Sequence, residues 1–237
     1  MESSVPKVIY EDRDMLVLNK PSGLQVHAAR VSERVREARE TLVEWLLAHY
    51  PEIKKVGDDP ALRPGIVHRL DKDTSGVMVV AKNQKAFEYL KGLFQKHEIK
   101  KTYRAVVQGL PKEKRGTIDA PIGIRAGTLK RSVRSKKMAK PAFTEYRTLE
   151  TFAREGGTFS ILEVTPRTGR THQIRVHLAS IGHPVVGDRL YGSKTKQPDW
   201  AKRLMLHALS LEFTTAGGKR VQFEAEPPEE FDPVIHR

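Results

Sequence analysis

The sequence predicts an α+β fold on a mixed, mainly antiparallel sheet with flanking helices and loops. Short β-branched apolar runs recur along the chain, helical periodicity is confined to a few segments, and Gly-rich turns separate the runs. At 237 residues the chain can bury a full core, and we read 1–237 as one domain.

The chain opens as a hairpin: Val8-Ile9-Tyr10 and Met15–Leu18 are apolar runs joined by the polar turn Glu11–Asp14, and Lys20-Pro21-Ser22-Gly23 ends the second strand. Residues 28–40 are charged and read as a loop or an exposed helix. Thr41 is placed to cap a helix over Leu42–Tyr50, which Pro51 terminates. Val77–Val80 is a short buried strand, and Lys85–Gln95 is a helix presenting Phe87, Leu90 and Phe94. Strands follow at Lys101–Gln108, Ala142–Thr151, Thr158–Val164 and Leu204–Phe213, with turns at Gly156-Gly157 and Gly217-Gly218. A helix is expected from Thr168, as its cap, through Ser180.

Charge narrows the function. Forty-two Lys and Arg against 29 Asp and Glu give a net charge of +13, which points to a polyanionic partner, nucleic acid first. An anionic membrane fits less well, because no helix joins a basic face to a bulky apolar one. No run approaches the roughly 20 apolar residues of a membrane span. The N-terminus lacks the pattern of a secretory leader. Zero cysteine removes disulfides and thiolate chemistry and fits a reducing, cytoplasmic setting. Residues 121–140 hold Arg125, Lys130, Arg131, Arg134, Lys136, Lys137 and Lys140 with no acid; such a run repels itself and gains by lying along phosphates.

Chemistry concentrates in three places. Asp71 sits in Gly65–Gly76 between cations, directly before the buried strand, where a carboxylate can act as a nucleophile if a cation keeps it ionised. Its plain alternative is a turn-forming aspartate, a role that Asp73 suits better. In Thr168–His177, Arg175 is placed to pair with Asp71 across the fold; the five-residue spacing of His172 and His177 splays them around a helix and argues against a metal site. Tyr103, on the strand Lys101–Gln108, is either sheet packing or a platform for an unstacked base.

Together these residues resemble the RluA-type pseudouridine synthase family, from about Val8 to Phe213. The likeness rests on H-R-L-D-K-D-T-S-G at 68–76, K-T-Y-R-A at 101–105, T-G-R-T-H-Q-I-R-V-H at 168–177, G-H-P-V-V-G-D at 182–188 and R-L-M-L-H-A at 203–208. It implies the pseudouridine synthase fold, a mixed sheet around a central cleft, and an enzyme that detaches uracil from ribose in RNA, turns it and rejoins it through carbon 5. It makes Asp71 the catalytic carboxylate, attacking the sugar or assisting a glycal route, and Tyr103 a catalytic residue that stacks on the base or accepts a proton. Arg175 becomes the cation paired with the aspartate, with Arg170 as the alternative. Arg69 would hold RNA with the target nucleotide flipped out, at a cost of a few kcal/mol. His172, with Arg170 and the basic residues Lys130, Arg131, Arg134, Lys136 and Lys137, joins the substrate contacts. An apolar residue near 204–206 lines the pocket.

No cofactor, metal, membrane or obligate protein partner is implied, and the chain is expected to act as a monomer on ribosomal RNA, transfer RNA or both. The expected form is one without the small N-terminal RNA-binding domain of many relatives, in which target choice would fall to the catalytic domain's loops, chiefly 121–140. Two rivals stand beside this reading. A non-catalytic RNA-binding protein accounts for the charge but not for an acid in a cationic site. A metal-dependent nuclease using Asp71, Asp73 and Asp188 requires converging oxygen ligands.

Overall fold

The computed structural model describes residues 5–27, 41–125, 128, 130–192 and 197–231. The expectation for 28–40 lies outside the described residues. In chain order the elements are β1 (Lys7–Glu11), β2 (Met15–Lys20), α1 (Leu42–His49), β3 (Ser75–Ala81), α2 (Gln84–Gln95), β4 (Lys100–Gln108) and β5 (Arg115–Asp119). They continue as β6 (Gly123–Ile124), β7 (Arg131–Ser132), β8 (Phe143–Arg154), β9 (Gly157–Pro166), α3 (Gln173–Ser180), β10 (Leu206–Thr214) and β11 (Arg220–Glu224). The α+β class follows from these elements. The chain forms two compact units, Met1–Ile99 with Ser210–Ala225, and Lys100–Leu209 with Glu226–Arg237.

In the first unit β2 lies between β1 and β3, antiparallel to both, with Val17 opposite Val79 and Leu18 opposite Met78. β3 is buried at every position, as its unbroken apolar run predicted. Ser210–Thr214 of β10 pairs with β11 across the turn that holds Gly217-Gly218. Thr41 caps α1 in a reciprocal capping box: its hydroxyl accepts from the Glu44 amide, and the Glu44 carboxylate accepts from the Thr41 amide at 2.7 Å. A cap of this kind is worth about 1 kcal/mol. Asn83 caps α2, whose buried face is Phe87, Leu90 and Leu93; Phe94 turns instead to stack on His68, with ring centroids 4.4 Å apart.

The second unit carries the long antiparallel path β4–β9–β8–β5. Tyr103 stands opposite Val164, and Ala105 opposite Leu162. Its core gathers Val106, Val107, Ile161, Leu162, Leu178, Val185 and Val186, with Leu204, Met205 and Leu206 from the segment expected to line a pocket. Main-chain bonds Val106 N to Met205 O, Met205 N to Val186 O and Val186 N to Val106 O tie these segments together.

One element differs from expectation. α3 begins at Gln173, not Thr168, and His172 occupies the cap position with left-handed backbone, φ 58°. The cause is the Gln173 side chain. Its oxygen accepts from the Thr168 hydroxyl at 2.7 Å and the Arg170 amide at 3.0 Å, while its nitrogen donates to the Phe143 carbonyl at 2.9 Å. Thr168 also accepts from the Phe143 amide at 3.1 Å, so it ties the loop to β8 rather than capping a helix.

Candidate active site

The loop bearing Asp71 is fixed mainly through its backbone. Gly65 starts it with φ 69°, where a β-carbon would stand 2.6 Å from the Ala81 carbonyl, so only glycine fits. His68 accepts from the Val79 amide at 3.0 Å, and Leu70 is buried. The turn closes by Thr74 N donating to the Asp71 carbonyl at 3.2 Å. The segment after β2 docks against the far side of this turn. Lys20 is fully buried, and its ammonium donates to the carbonyls of Pro21 at 2.8 Å, Leu24 at 2.8 Å and Lys72 at 3.0 Å. Gly23 N donates to the same Lys72 carbonyl at 2.9 Å, and the Ser22 hydroxyl to the Asp73 carbonyl at 2.7 Å. The main chain that follows Asp71 is thereby held at the carbonyls of Lys72 and Asp73.

Arg69 is exposed, and its Nη1 lies 3.2 Å from Nε2 of His27. Guanidinium only donates, so His27 accepts here and is neutral. Burial first, then Arg69 and Arg63, hold the His27 pKa below its ordinary value. Arg69 and Asp71 thus share one loop, while the cation that the sequence paired with Asp71 is Arg175, with Arg170 as the alternative.

In the second unit, Arg175 on α3 is buried, and it grips Asp188 at two points: Nε to Oδ2 at 2.7 Å and Nη2 to Oδ1 at 2.9 Å. Asp188 also accepts from the amides of Leu190 at 2.9 Å and Tyr191 at 3.0 Å. Burial alone would raise the Asp188 pKa; the Arg175 guanidinium and those two amides outweigh it and leave the carboxyl below its usual range. With its oxygens so engaged, Asp188 is no ligand for the metal that the nuclease reading requires, and no group of three or more metal-binding side chains occurs among the described residues.

Tyr191 is the hub around this pair. Its hydroxyl lies 2.8 Å from His172 Nδ1 and accepts from the Arg131 amide at 3.0 Å, and its ring faces the Arg175 guanidinium at 5.2 Å. The Lys130 ammonium donates to the Leu190 carbonyl at 3.1 Å. The basic segment therefore divides: Lys130 and Arg131 are drawn against residues 190–191, whereas Arg134, Lys136 and Lys137 are exposed around the turn after β7. Arg170 is anchored by its Nε on the Pro141 carbonyl at 3.0 Å. His177 is fully buried between Thr144 Oγ1 and the Ala120 carbonyl, 2.9 Å from each, so both its ring nitrogens are satisfied. Tyr103 is partly buried on β4, packed against the core.

Sequence reasoning missed Lys20, His27 and Tyr191, and it named Asp188 only within the metal-dependent rival. A lysine before Pro21 reads as turn punctuation, and only the fold shows three carbonyls converging on it.

The RNA pseudouridylate synthase family model matches residues 14–180. An uncharacterized RNA pseudouridine synthase of Aquifex aeolicus is 44% identical, the match covering 96% of this chain and 71% of that protein. Ribosomal large subunit pseudouridine synthase D of Pseudomonas aeruginosa is 40% identical over 95% of this chain and 69% of its own length. Among solved structures, human RNA Pseudouridylate Synthase Domain Containing 1 matches with a TM-score of 0.79 at 29% identity, covering 98% of this chain and 90% of that one. No described helix is long and apolar enough to cross a membrane.

Proposed function

The chain belongs to the RNA pseudouridylate synthase family, and from that premise we propose that it isomerises uridines of large-subunit ribosomal RNA with Asp71 as the catalytic carboxylate. The observation that carries the assignment of Asp71 is the anchoring of its loop. Lys20, Ser22 and Gly23 hold the carbonyls of Lys72 and Asp73, so the carboxylate is delivered from rigid main chain. Preorganisation of this kind lets a reacting group meet its target without further ordering.

The reaction conserves atoms. The bond from N1 of uracil to C1′ of ribose breaks, a bond from C5 to C1′ forms, and the hydrogen on C5 is lost as a proton while N1 gains one. Asp71 serves by attacking C1′ to form an ester that C5 then displaces, or by taking the proton of C2′ and returning it as C5 bonds to C1′, and Tyr103 provides the aromatic face for the freed base. A stacked uridine hides its glycosidic bond, so the nucleotide is flipped out first, with Arg69 filling or bracing the gap, at a cost of a few kcal/mol. The ribosomal target is favoured because relatives 37–40% identical bear the description Ribosomal large subunit pseudouridine synthase D.

A transcriptome-wide pseudouridine map from cells carrying the wild type, Asp71→Ala or no protein tests this. Large-subunit sites lost in both the variant and the null support the assignment. Sites retained by Asp71→Ala but lost in the null would remove Asp71 from the chemistry, and loss confined to transfer RNA would overturn the target.

A further inference from the structure

Lys101 lies on β4 beside Tyr103 in sequence, and its side chain is partly buried. Its ammonium can donate three bonds. Among the described residues it makes one, to the Thr168 carbonyl at 3.3 Å, and no carboxylate pairs with it. The charged group that acts on it is a second cation, Arg170, itself fixed on the Pro141 carbonyl. Desolvation first and Arg170 second pull the Lys101 pKa down to about 8. Two neighbouring cations with no acid between them disfavour each other, and an anion seated between them reverses the sign of that interaction.

Access is built in. Gly169 links Thr168 to Arg170 and is exposed, and a β-carbon there would find only the Lys101 ammonium, at 3.9 Å. The missing side chain leaves the ammonium approachable across the loop backbone. Strand alternation puts Lys101 and Tyr103 on one face of β4, about 6.8 Å apart along it. A base and its backbone phosphate are separated on the same scale.

We propose that Lys101 and Arg170, across Gly169, form a subsite for a phosphodiester of the RNA backbone beside the nucleotide whose base meets Tyr103. The subsite rests on the reading of the chain as an RNA isomerase and says how that enzyme grips its substrate. Lysine is suited to the task because it is a compact point charge, while Arg170, held by its Nε, offers its terminal nitrogens.

The test uses the full chain and unmodified large-subunit ribosomal RNA transcribed in vitro, with binding read by filter retention across salt and from pH 6.5 to 9.5. Losing one phosphate contact should make the slope of log affinity against log salt shallower by about 0.7 to 0.9 in Lys101→Met. Wild-type affinity should fall as pH rises past about 8, where Lys101 loses its proton. That decline should be absent in Lys101→Met, and absent in Lys101→Arg, which should otherwise restore the salt slope. Lys101→Met should also melt at a higher temperature than the wild type at pH 7, since it removes a desolvated charge. A wild-type salt slope and pH profile in Lys101→Met would overturn the subsite, as would wild-type affinity that rises above pH 8. Binding is read without turnover, so failure of the subsite and failure of the isomerase reading give different results.

Discussion

Each compact unit contains a lysine set into its interior, and the two are treated in opposite ways. Lys20 is wholly buried with its ammonium on the carbonyls of Pro21, Leu24 and Lys72. Lys101 has one long carbonyl bond and a cationic neighbour. Solvation lost by Lys20 is replaced in full by protein oxygens, so its charge is structural cement for the Asp71 loop. Solvation lost by Lys101 is not replaced, which disfavours the unliganded state and favours an anion. Satisfaction of a buried charge, more than its burial, separates the scaffold lysine from the proposed subsite lysine.

That rule makes graded predictions. The largest stability loss should come from Asp188→Ala, which leaves Arg175 buried without its partner and should cost about 3–5 kcal/mol in denaturant unfolding. The same pair sets an acid limit. The Asp188 carboxyl is held below its ordinary pKa, so its contribution is present above about pH 4 and is lost as pH falls further. Asp188→Asn should flatten that acid-side decline. Next comes Lys20→Met, which orphans carbonyls on both sides of the docking contact and should cost about 2–3 kcal/mol. It should lower turnover as well, because the Asp71 loop loses its anchor. If Lys20→Met kept wild-type stability and rate, the distinction between the two lysines would collapse.

The smallest stability effect is expected at the exposed end of the basic segment. Replacing Arg134, Lys136 and Lys137 with Gln should change unfolding by less than about 0.5 kcal/mol. It should nevertheless make the salt dependence of RNA binding shallower. An unchanged salt slope would mean that this turn is merely solvated. Lys130 and Arg131 belong to a separate experiment, because their attachment to residues 190–191 mixes structure with binding.

The sequence showed its elements wherever local physics decides them. β3 was legible as an apolar run, the Thr41 cap from residue type and position, and α2 from its periodic apolar face. The start of α3 was not legible, because the Gln173 side chain overrides local helix signals by gathering Thr168, Arg170 and Phe143. Asp71, Tyr103 and Arg175 stood out through their motifs. The residues that hold Lys72 and Arg175 did not, for Lys20 and Asp188 act on partners that are distant in sequence or spread over main-chain atoms. Local pattern marks a candidate residue more readily than the residues that hold it in place.

We assign the isomerisation to the Asp71 carboxylate. Its most direct test is release of tritium from ribosomal RNA labelled at C5 of uridine, measured for the wild type and Asp71→Asn with RNA binding recorded in parallel. Wild-type protein should release tritium in proportion to pseudouridine formed, and Asp71→Asn should bind RNA while releasing it at least about 100-fold more slowly. Release by Asp71→Asn at the wild-type rate would contradict the account.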